Sequence, residues 1–306
     1  MRALHRYLWV LAAATLLLIA AGGMVTSTGS GLAVPDWPTT YGYSMVTFPL
    51  DKMVGGIFYE HGHRLIATTV GLLTIGALIW LWKVESRPWV RRLGVIALVA
   101  VVLQGVLGGL TVLYLLPDAV SISHAGLAQI FFCLTVTLVI VTSNGWRRPA
   151  RVPANDDILR SRLILLTAAI YIQILLGATM RHTGAGLAIP DFPLVYGGVF
   201  PPVWTFDIAI HYAHRVGALV VAILVVQQFL RIRRRNADRP ELVAPATLLL
   251  ATVLVQIALG ASVVLTGKNE IVNTLHVATG ALLLGTSVAL TLRAHQIRFA
   301  GAVAAA

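Results

Sequence analysis

Apolar and polar positions divide the chain into eight long hydrophobic runs that are separated by shorter polar segments. Each run has about 20 residues, enough for a helix to cross the roughly 30 Å hydrocarbon core of a bilayer. The runs span residues 7–25, 63–82, 93–115, 120–142, 161–180, 208–230, 242–265 and 271–292. The pattern predicts an all-α integral membrane protein with eight transmembrane helices.

Composition agrees with this prediction. Of the 306 residues, 58% are hydrophobic and only 11% are charged, whereas soluble domains carry about 25% charged residues. The net charge of +11 would by itself be compatible with nucleic-acid binding. The distribution of the basic residues along the chain argues for a different role, so we expect the lipid bilayer as a partner and no nucleic acid.

The basic residues lie almost entirely on one side of the predicted helices. Eighteen of them fall there: Arg2, Arg6, Lys83, Arg87, Arg91, Arg92, five between 147 and 162, five between 231 and 239, Arg293 and Arg298. The other side has Lys52, Arg181 and Lys268, with Arg64 and Arg215 at helix edges. Because cytoplasmic loops are enriched in Lys and Arg, we expect a multi-pass cell-membrane protein with both termini in the cytoplasm.

An internal repeat is clearest in the two long loops on the outer side. Residues 27–42 and 182–197 are identical at ten of sixteen positions. A shorter Gln-x-x-x-Gly pattern occurs at 104–108, 173–177 and 256–260. We interpret this second pattern as helix packing, because small residues permit close approach and a glutamine amide can hydrogen-bond across helices.

The repeat predicts two tandem four-helix bundles. We assign residues 1–145 to the first half, 146–160 to a cytoplasmic linker and 161–306 to the second half. Because each half has an even number of helices, both have the same orientation, and a pseudo-two-fold axis runs along the membrane normal.

The outer loops, 26–56 and 181–207, are rich in Gly, Pro and Asp. This composition favours fixed turns, so we expect each loop to fold as a cap over its half, although a simple linker is the alternative. The central cap residues are Pro35, Asp36 and Trp37 in the first copy, and Pro190, Asp191 and Phe192 in the second.

Four of the nine histidines form two repeat-related pairs. His63 and His124 in the first half, and His214 and His276 in the second, each lie within about the first turn of an even-numbered helix, near the outer face. A single membrane histidine is often only a packing residue, but two matched pairs argue for a ligand. Imidazole binds iron, zinc and copper, and two opposed imidazoles in an apolar cleft suit a haem with axial ligands.

Ionisable residues next to these histidines distinguish the halves. Glu60 lies three residues before the first histidine of its half, so both project from one helical face. The matching residue of the second half is His211, which we interpret as a pocket group. A carboxylate there could move protons, or it could be an exposed acid paired with Arg64. Arg64 and Arg215 could bind haem propionates or lipid headgroups.

These residues together resemble the heme A synthases, a family that includes the mitochondrial enzyme of cytochrome oxidase assembly. The resemblance covers nearly the whole chain. Its specific parts are the two loop motifs, Glu60-x-x-His63-Arg64, His124, His214-Arg215 and His276. It implies oxidation of the C8 methyl group of heme O to a formyl group, making heme A for terminal oxidases. It also implies heme O synthase, an electron acceptor such as a quinone, and oxidase assembly factors as partners.

The resemblance further implies a role for each half. His63 and His124 would flank the iron of heme O or heme A, with Glu60 next to the methyl group. His214 and His276 would ligate a haem b cofactor. The implied reaction proceeds by successive oxidation, with water as the expected source of oxygen, and both haem sites lie toward the outer face. Many bacterial members carry cysteine pairs in the outer loops, whereas this chain has one cysteine, outside those loops.

Two other functions fit part of the pattern. A non-catalytic di-haem cytochrome b that relays electrons from quinol would also need paired histidines and apolar helices. An acid in only one half and matched loop caps argue against it. Secondary transporters also contain repeats, but here the ionisable groups cluster at one face.

Overall fold

The computed structural model describes residues 1–147 and 156–304, and its regular structure in these ranges is helical. The α-helices are α1 (Arg2–Ser27), α2 (Gly56–Val84), α3 (Pro88–Leu113), α4 (Asp118–Thr142), α5 (Asn144–Arg147), α6 (Asp157–His182), α7 (Phe206–Arg235), α8 (Pro240–Leu265) and α9 (Glu270–Ala304). Eight of them, all except the four-residue α5, are long and apolar enough to cross a membrane. The predicted eight spans are therefore confirmed.

One helix begins much earlier than its hydrophobic run. Helix α2 begins at Gly56, seven residues before the predicted start. Its polar residues Glu60 and His61 are buried within the protein rather than exposed to lipid, so they do not end the helix. His63 consequently lies about two helical turns inside α2, and the other three paired histidines lie six to eight residues after the first residue of their helices. The expectation that they lie within the first turn was wrong, and they sit deeper in the bundle.

The contacts between helices describe two closed four-helix rings. In the first, each of α1 to α4 packs against the next and α1 packs against α4; α6 to α9 form the same ring in the second half. Between the rings, α1 contacts α9, α4 contacts α6, and α4 contacts α9. In the repeat, α1 corresponds to α6 and α4 corresponds to α9. A two-fold rotation therefore converts the α1–α9 contact into the α6–α4 contact, and it leaves the α4–α9 contact unchanged. This is the pattern expected for two tandem halves around a pseudo-two-fold axis.

Each ring has its own apolar core. Leucines at successive turns of α1, such as Leu4, Leu8 and Leu11, are fully buried against α2, α3 and α4. In the second ring, Leu163 and Leu166 of α6 occupy a similar core. The two halves thus bury side chains independently and then pack together along α1, α4, α6 and α9.

The predicted linker, 146–160, lies mostly outside the described residues. Its first residues belong to α5, and α6 begins at Asp157, four residues before the predicted start of the fifth span. The helix starts there because Asp156 caps it: its carboxylate accepts a hydrogen bond from the backbone N–H of Leu159 at 2.9 Å, and its Oδ1 also pairs with Arg231 at 2.7 Å.

The contact between the halves can be tested at Gly285 of α9. A Cβ atom there would lie 2.8 Å from the ring of Phe132 on α4. We expect Gly285→Leu to lower the free energy of unfolding by about 1–3 kcal/mol, the usual cost of overpacking, measured as a lower Tm in detergent. Gly71→Leu is the matched control, because no atom lies within 4 Å of the corresponding Cβ. Equal Tm values for both variants would contradict close packing of the halves at this point.

Candidate functional site

Arg64 of α2 ties the first outer loop to the helix. Its guanidinium donates hydrogen bonds to the backbone oxygens of Val34 (3.0 Å), Asp36 (2.7 Å) and Thr39 (3.0 Å). A further N–H meets Oε1 of Glu60 at 2.6 Å, and the backbone N–H of Val34 donates to Oε2 of Glu60 at 2.7 Å. Glu60 and Arg64 are only 4% and 8% exposed. The sequence left Glu60 open between a functional group and an exposed acid, and the structure places it in a buried ion pair that holds the loop.

The second half repeats this arrangement with a histidine in place of the acid. Arg215 donates to the backbone oxygens of the three matching loop residues, Ile189 (3.1 Å), Asp191 (2.7 Å) and Leu194 (2.8 Å). Nε of Arg215 and the backbone N–H of Ile189 each lie 3.2 Å from a ring nitrogen of His211. A neutral imidazole has one acceptor nitrogen, so His211 accepts one of these bonds at a time, whereas Glu60 accepts both.

Both arginines are therefore occupied mainly by the loops. A guanidinium has five N–H donors; the bonds above engage four in Arg64 and four in Arg215. Within the described ranges, one donor of each arginine has no partner and is left for a propionate or a lipid headgroup. Their observed contacts are those of a clamp that fixes each loop on the outer end of its ring.

An aspartate organises a tight turn inside the first loop. The Asp36 carboxylate accepts hydrogen bonds from the backbone N–H groups of Tyr41 (2.7 Å) and Gly42 (2.9 Å) and from the hydroxyl of Thr39 (2.5 Å). Tyr41 and Gly42 have φ values of 49° and 77°, as in two-residue hairpin turns that favour glycine. Partial desolvation raises the pKa of Asp36, but these hydrogen bonds outweigh it and lower the pKa to about 2.

The second loop contains the same turn. Asp191 accepts from the backbone N–H groups of Tyr196 and Gly197, both at 2.8 Å, and these two residues also have positive φ. The N–H of Gly197 is the main cause of a lowered pKa at Asp191. The two loops therefore share a backbone fold as well as a sequence.

The prolines and aromatic residues of the caps lie at the surface. Pro35 and Pro190 are exposed. The indole of Trp37 lies against α3, where a Cβ on Gly109 would come within 2.5 Å of the ring. Phe192 instead lies under the guanidinium of Arg215, 5.8 Å from its ring centre. The first cap thus extends across the end of its helix bundle to α3, whereas Phe192 of the second cap packs on the arginine that holds its own loop.

Each paired histidine packs against a glycine of the preceding helix. If each glycine carried a Cβ atom, that atom would lie about 3 Å from the nearest atom of the imidazole. The distances are 3.0 Å from Gly22 to His63, 3.1 Å from Gly108 to His124, 2.9 Å from Gly177 to His214, and 3.0 Å from Gly260 to His276. A side chain larger than hydrogen would push the imidazole away. The same cradle therefore occurs four times.

Glutamines one turn before three of these glycines bind the same histidines. The bonds join Gln104 to the backbone oxygen of His124 (2.9 Å), Gln173 to Nδ1 (3.0 Å) and the backbone oxygen (2.8 Å) of His214, and Gln256 to Nε2 of His276 (3.3 Å). On α1 the matching residue is Leu18, and among the described residues His63 has no such partner. Sequence reasoning interpreted the Gln-x-x-x-Gly pattern as packing and missed this link. Its fixed spacing to the histidines along the repeat was the available signal.

The two paired histidines of the second half face each other across the interior of its four-helix ring. The centroids of His214 and His276 are 6.4 Å apart, with the ring planes at 70°. An imidazole nitrogen binds a metal at about 2 Å, so two rings on opposite sides of one ion have centroids roughly 6 Å apart. Nδ1 of His276 and Nδ1 of His124 are buried without a hydrogen-bond partner in the described chain. Because an unsatisfied buried nitrogen is costly, these rings fit metal ligation.

A haem suits this donor set better than a bare metal ion. In the described ranges, no three His, Cys, Asp or Glu side chains come together as a metal-binding group. A haem supplies its own equatorial ligands and takes only axial ones from the protein. His214 and His276 would hold such a group in the second half, and His63 and His124 are the corresponding residues of the first half.

The pKa of Asp36 gives a test of the first loop. A carboxylate whose folded pKa is depressed stabilises the fold above its unfolded pKa, and that stabilisation is lost as the pH falls through the folded value. We expect the loop to resist pepsin near pH 4 and to become cleavable as the pH falls toward 2. Asp36→Asn should already be cleaved near pH 4, because its amide is a poorer acceptor.

The matched control is Asp51→Asn in the same loop, since Asp51 is exposed and lies outside the turn that Asp36 organises. Cleavage sites are read by mass spectrometry. Identical pH profiles for the parent protein and Asp36→Asn would contradict the role of Asp36 in holding the turn.

Comparison with known proteins covers almost the whole chain. The family model for cytochrome oxidase assembly proteins, COX15-CtaA, matches residues 5–288. A heme A synthase of Shouchella clausii is 33% identical over 82% of this chain and 83% of its own length. A heme A synthase of Symbiobacterium thermophilum is 31% identical over 90% of this chain and 90% of its own length. One of Geobacillus kaustophilus is 30% identical over 95% of this chain and 92% of its own length. The chain therefore belongs to the COX15-CtaA family of cytochrome oxidase assembly proteins.

Proposed function

We propose that this protein is a heme A synthase, an oxidoreductase that converts the C8 methyl group of heme O to a formyl group. Family membership and relatives of that name support the activity. The structural observation that carries the proposal is an asymmetry between matched halves. Both halves have a histidine pair, glycine cradles and a clamped loop, but only the first has a buried carboxylate, Glu60, at the clamp.

The reaction requires two oxidations and two water molecules. The methyl group loses two electrons and two protons as one water adds, giving the alcohol. The alcohol loses two more electrons and two protons as a second water adds, giving a geminal diol, which loses water to form the aldehyde. Four electrons pass to an acceptor such as a quinone. The protein must therefore hold heme O, admit water, remove protons and provide an electron path.

The first half suits an exchangeable substrate. His63 and His124 flank heme O or heme A in this proposal. Gln104 bonds only to the backbone oxygen of His124, and the position on α1 that corresponds to the other glutamines is Leu18, so the ring of His63 is held by packing on Gly22. A less constrained axial ligand is appropriate where a substrate enters and a product leaves.

The second half suits a resident cofactor. His214 and His276 face each other, and both are bonded to a glutamine, Gln173 or Gln256. A hydrogen bond at the second ring nitrogen of a ligating histidine fixes the orientation of its ring. A haem b bound there would supply one-electron transfer. The protein's contribution is to hold both imidazoles and to exclude water with apolar helices.

Glu60 supplies a fixed negative charge in the first half. Its carboxylate is held by two donors, the backbone N–H of Val34 and the guanidinium of Arg64. Because His211 occupies the matching clamp, holding the loop does not require an acid. We therefore assign to the charge of Glu60 the stabilisation of positive charge at the reacting carbon, or the acceptance of a proton as water adds.

The location follows from charge and helix count. The eighteen basic residues on one side support a cell-membrane protein with cytoplasmic termini and with both histidine pairs toward the outer face. The partners that fit this place are heme O synthase as the source of substrate, an electron acceptor within the bilayer, and the factors that assemble the terminal oxidase.

Glu60→Gln tests the role of the acid. It retains one acceptor for the clamp but removes the charge, and we expect heme A formation to fall by about 10²–10⁴-fold, the usual range for loss of a proton-transfer group. The product is measured by extraction and mass-detected chromatography of membranes from a host that makes heme O but no heme A. His211→Gln, the matching change in the second half, should retain most of the activity. Heme A formation at the parent rate in Glu60→Gln would exclude this role.

Glu60→His separates the charge from the clamp. This variant copies the second half, so the loop should remain protected from trypsin at Lys52 while heme A formation is lost. Cleavage at Lys52 in this variant would instead indicate that Glu60 acts by holding the loop.

Haem extraction from the purified protein tests the assignment of the halves and the electron-relay alternative. We expect protohaem together with heme O, heme A or the hydroxylated intermediate. His276→Ala should lose protohaem, and His63→Ala should lose the heme O series, because each variant removes an axial ligand of one site. Protohaem alone, from a host that makes heme O, would favour a di-haem cytochrome b. Absence of all haem would contradict the histidine assignments.

A further inference from the structure

Arg181 is a cation at the outer end of α6 without an acidic partner in the described chain. Its Nη2 donates to the backbone oxygen of Gly23 at 2.6 Å and to the hydroxyl of Ser27 at 2.9 Å, both on α1. The remaining three of its five N–H donors have no hydrogen-bond partner among the described residues. A half-buried guanidinium that meets only neutral acceptors favours an anion nearby, because burying an uncompensated charge is costly.

The position of Arg181 relates it to the second histidine pair. Gln173, Gly177 and Arg181 are spaced by four residues and therefore share one face of α6. Gln173 bonds to His214 and Gly177 packs against its ring. Arg181 follows one turn farther out, about 6 Å along the axis at 1.5 Å per residue. Ser27, which accepts a hydrogen bond from Arg181, also lies 3.2 Å from the hydroxyl of Thr274, two residues before His276 on α9. Arg181 therefore lies toward the outer ends of the helices that carry this histidine pair.

The first half lacks this cation. The matching positions of α1 are Leu18, Gly22 and Thr26, of which only the glycine is retained. The hydroxyl of Thr26 donates to the backbone oxygen of Gly22 at 3.2 Å. The cradle is thus common to α1 and α6, whereas of these two helices only α6 carries the glutamine and the guanidinium.

We propose that Arg181 binds a carboxylate of the haem held by His214 and His276, an inference that rests on the proposed function. A guanidinium and a carboxylate form charge-assisted, often bidentate, hydrogen bonds. The sequence suggested Arg64 and Arg215 for this task. The loops occupy three donors of each, and Glu60 or His211 takes a fourth, whereas three donors of Arg181 have no partner among the described residues. Without a cation at the matching position, the first half holds the carboxylates of its substrate less tightly, which suits exchange of heme O for heme A.

The test compares Arg181→Gln and Arg181→Lys in a His63→Ala background, where the second-half haem is the one expected to remain. Transfer of haem to excess apomyoglobin is followed by absorbance. We expect loss roughly 10- to 100-fold faster in Arg181→Gln, from the typical strength of a hydrogen bond to a charged group. The rate of haem loss from Arg181→Lys should lie between those of the parent and Arg181→Gln, because lysine keeps the charge but not the planar guanidinium. Lys268→Gln removes the same charge from the outer side and should not change the rate.

A second measurement identifies the anion. Protein stripped of haem is titrated with protohaem and with its dimethyl ester, which has no free carboxylate. The parent protein should prefer the free acid, and Arg181→Gln should bind both equally. If Arg181→Gln does not fold, the preference should be reduced in Arg181→Lys.

The outcomes are distinct. Equal haem loss and an unchanged preference for the free acid in the Arg181 variants would overturn the inference. An unchanged preference together with less co-purifying phospholipid phosphate in Arg181→Gln would assign the residue to a lipid headgroup and also overturn it. A parent protein that binds no haem would overturn the proposed function itself, and with it this role for Arg181.

Discussion

The structure depends on one constraint: ionisable and polar groups that enter the bundle from the outer side must find partners inside it. Burying a charge without a partner is costly, and in this chain the loops provide the partners. Arg64 and Glu60 bind backbone groups of the first loop, and Arg215 and His211 bind those of the second. Each loop is therefore part of the buried polar network, and it cannot move away from its bundle without leaving the guanidinium of Arg64 or Arg215 short of hydrogen-bond partners. A folded cap and a polar site at its base follow from the same bonds.

Duplication supplies this architecture twice, and a few substitutions give the halves different properties. The arginine, the aspartate-stapled turn and the four glycine cradles recur. The first half adds the negative charge of Glu60, whereas the second adds a glutamine and a guanidinium on the face of α6 that meets His214. The first set suits chemistry on a bound substrate, and the second suits retention of a cofactor. These differences change side chains on a shared backbone, so neither half needs a new fold.

Some features could be predicted from the sequence because each depends on a single property of the chain. The eight spans follow from apolar length, and the tandem halves follow from repeat identity. The predicted start of α2 was wrong because a hydropathy pattern ends an apolar run at a charged residue such as Glu60, although in the fold this carboxylate is buried and paired with Arg64. The Gln-x-x-x-Gly pattern was interpreted as packing only, since sequence spacing does not show which neighbouring side chain a glycine accommodates.

The membrane class, the number of helices, the duplication and the residue types available for chemistry can all be predicted without a structure. Those features depend on local composition and on comparison of the chain with itself. Only the folded structure shows how the cations are used: Arg64 and Arg215 are occupied by loop carbonyls, whereas three donors of Arg181 have no partner among the described residues. It also decided that His214 and His276 face each other at 6.4 Å. Such facts depend on distances between helices that are remote in sequence, and no pattern along the chain encodes them directly.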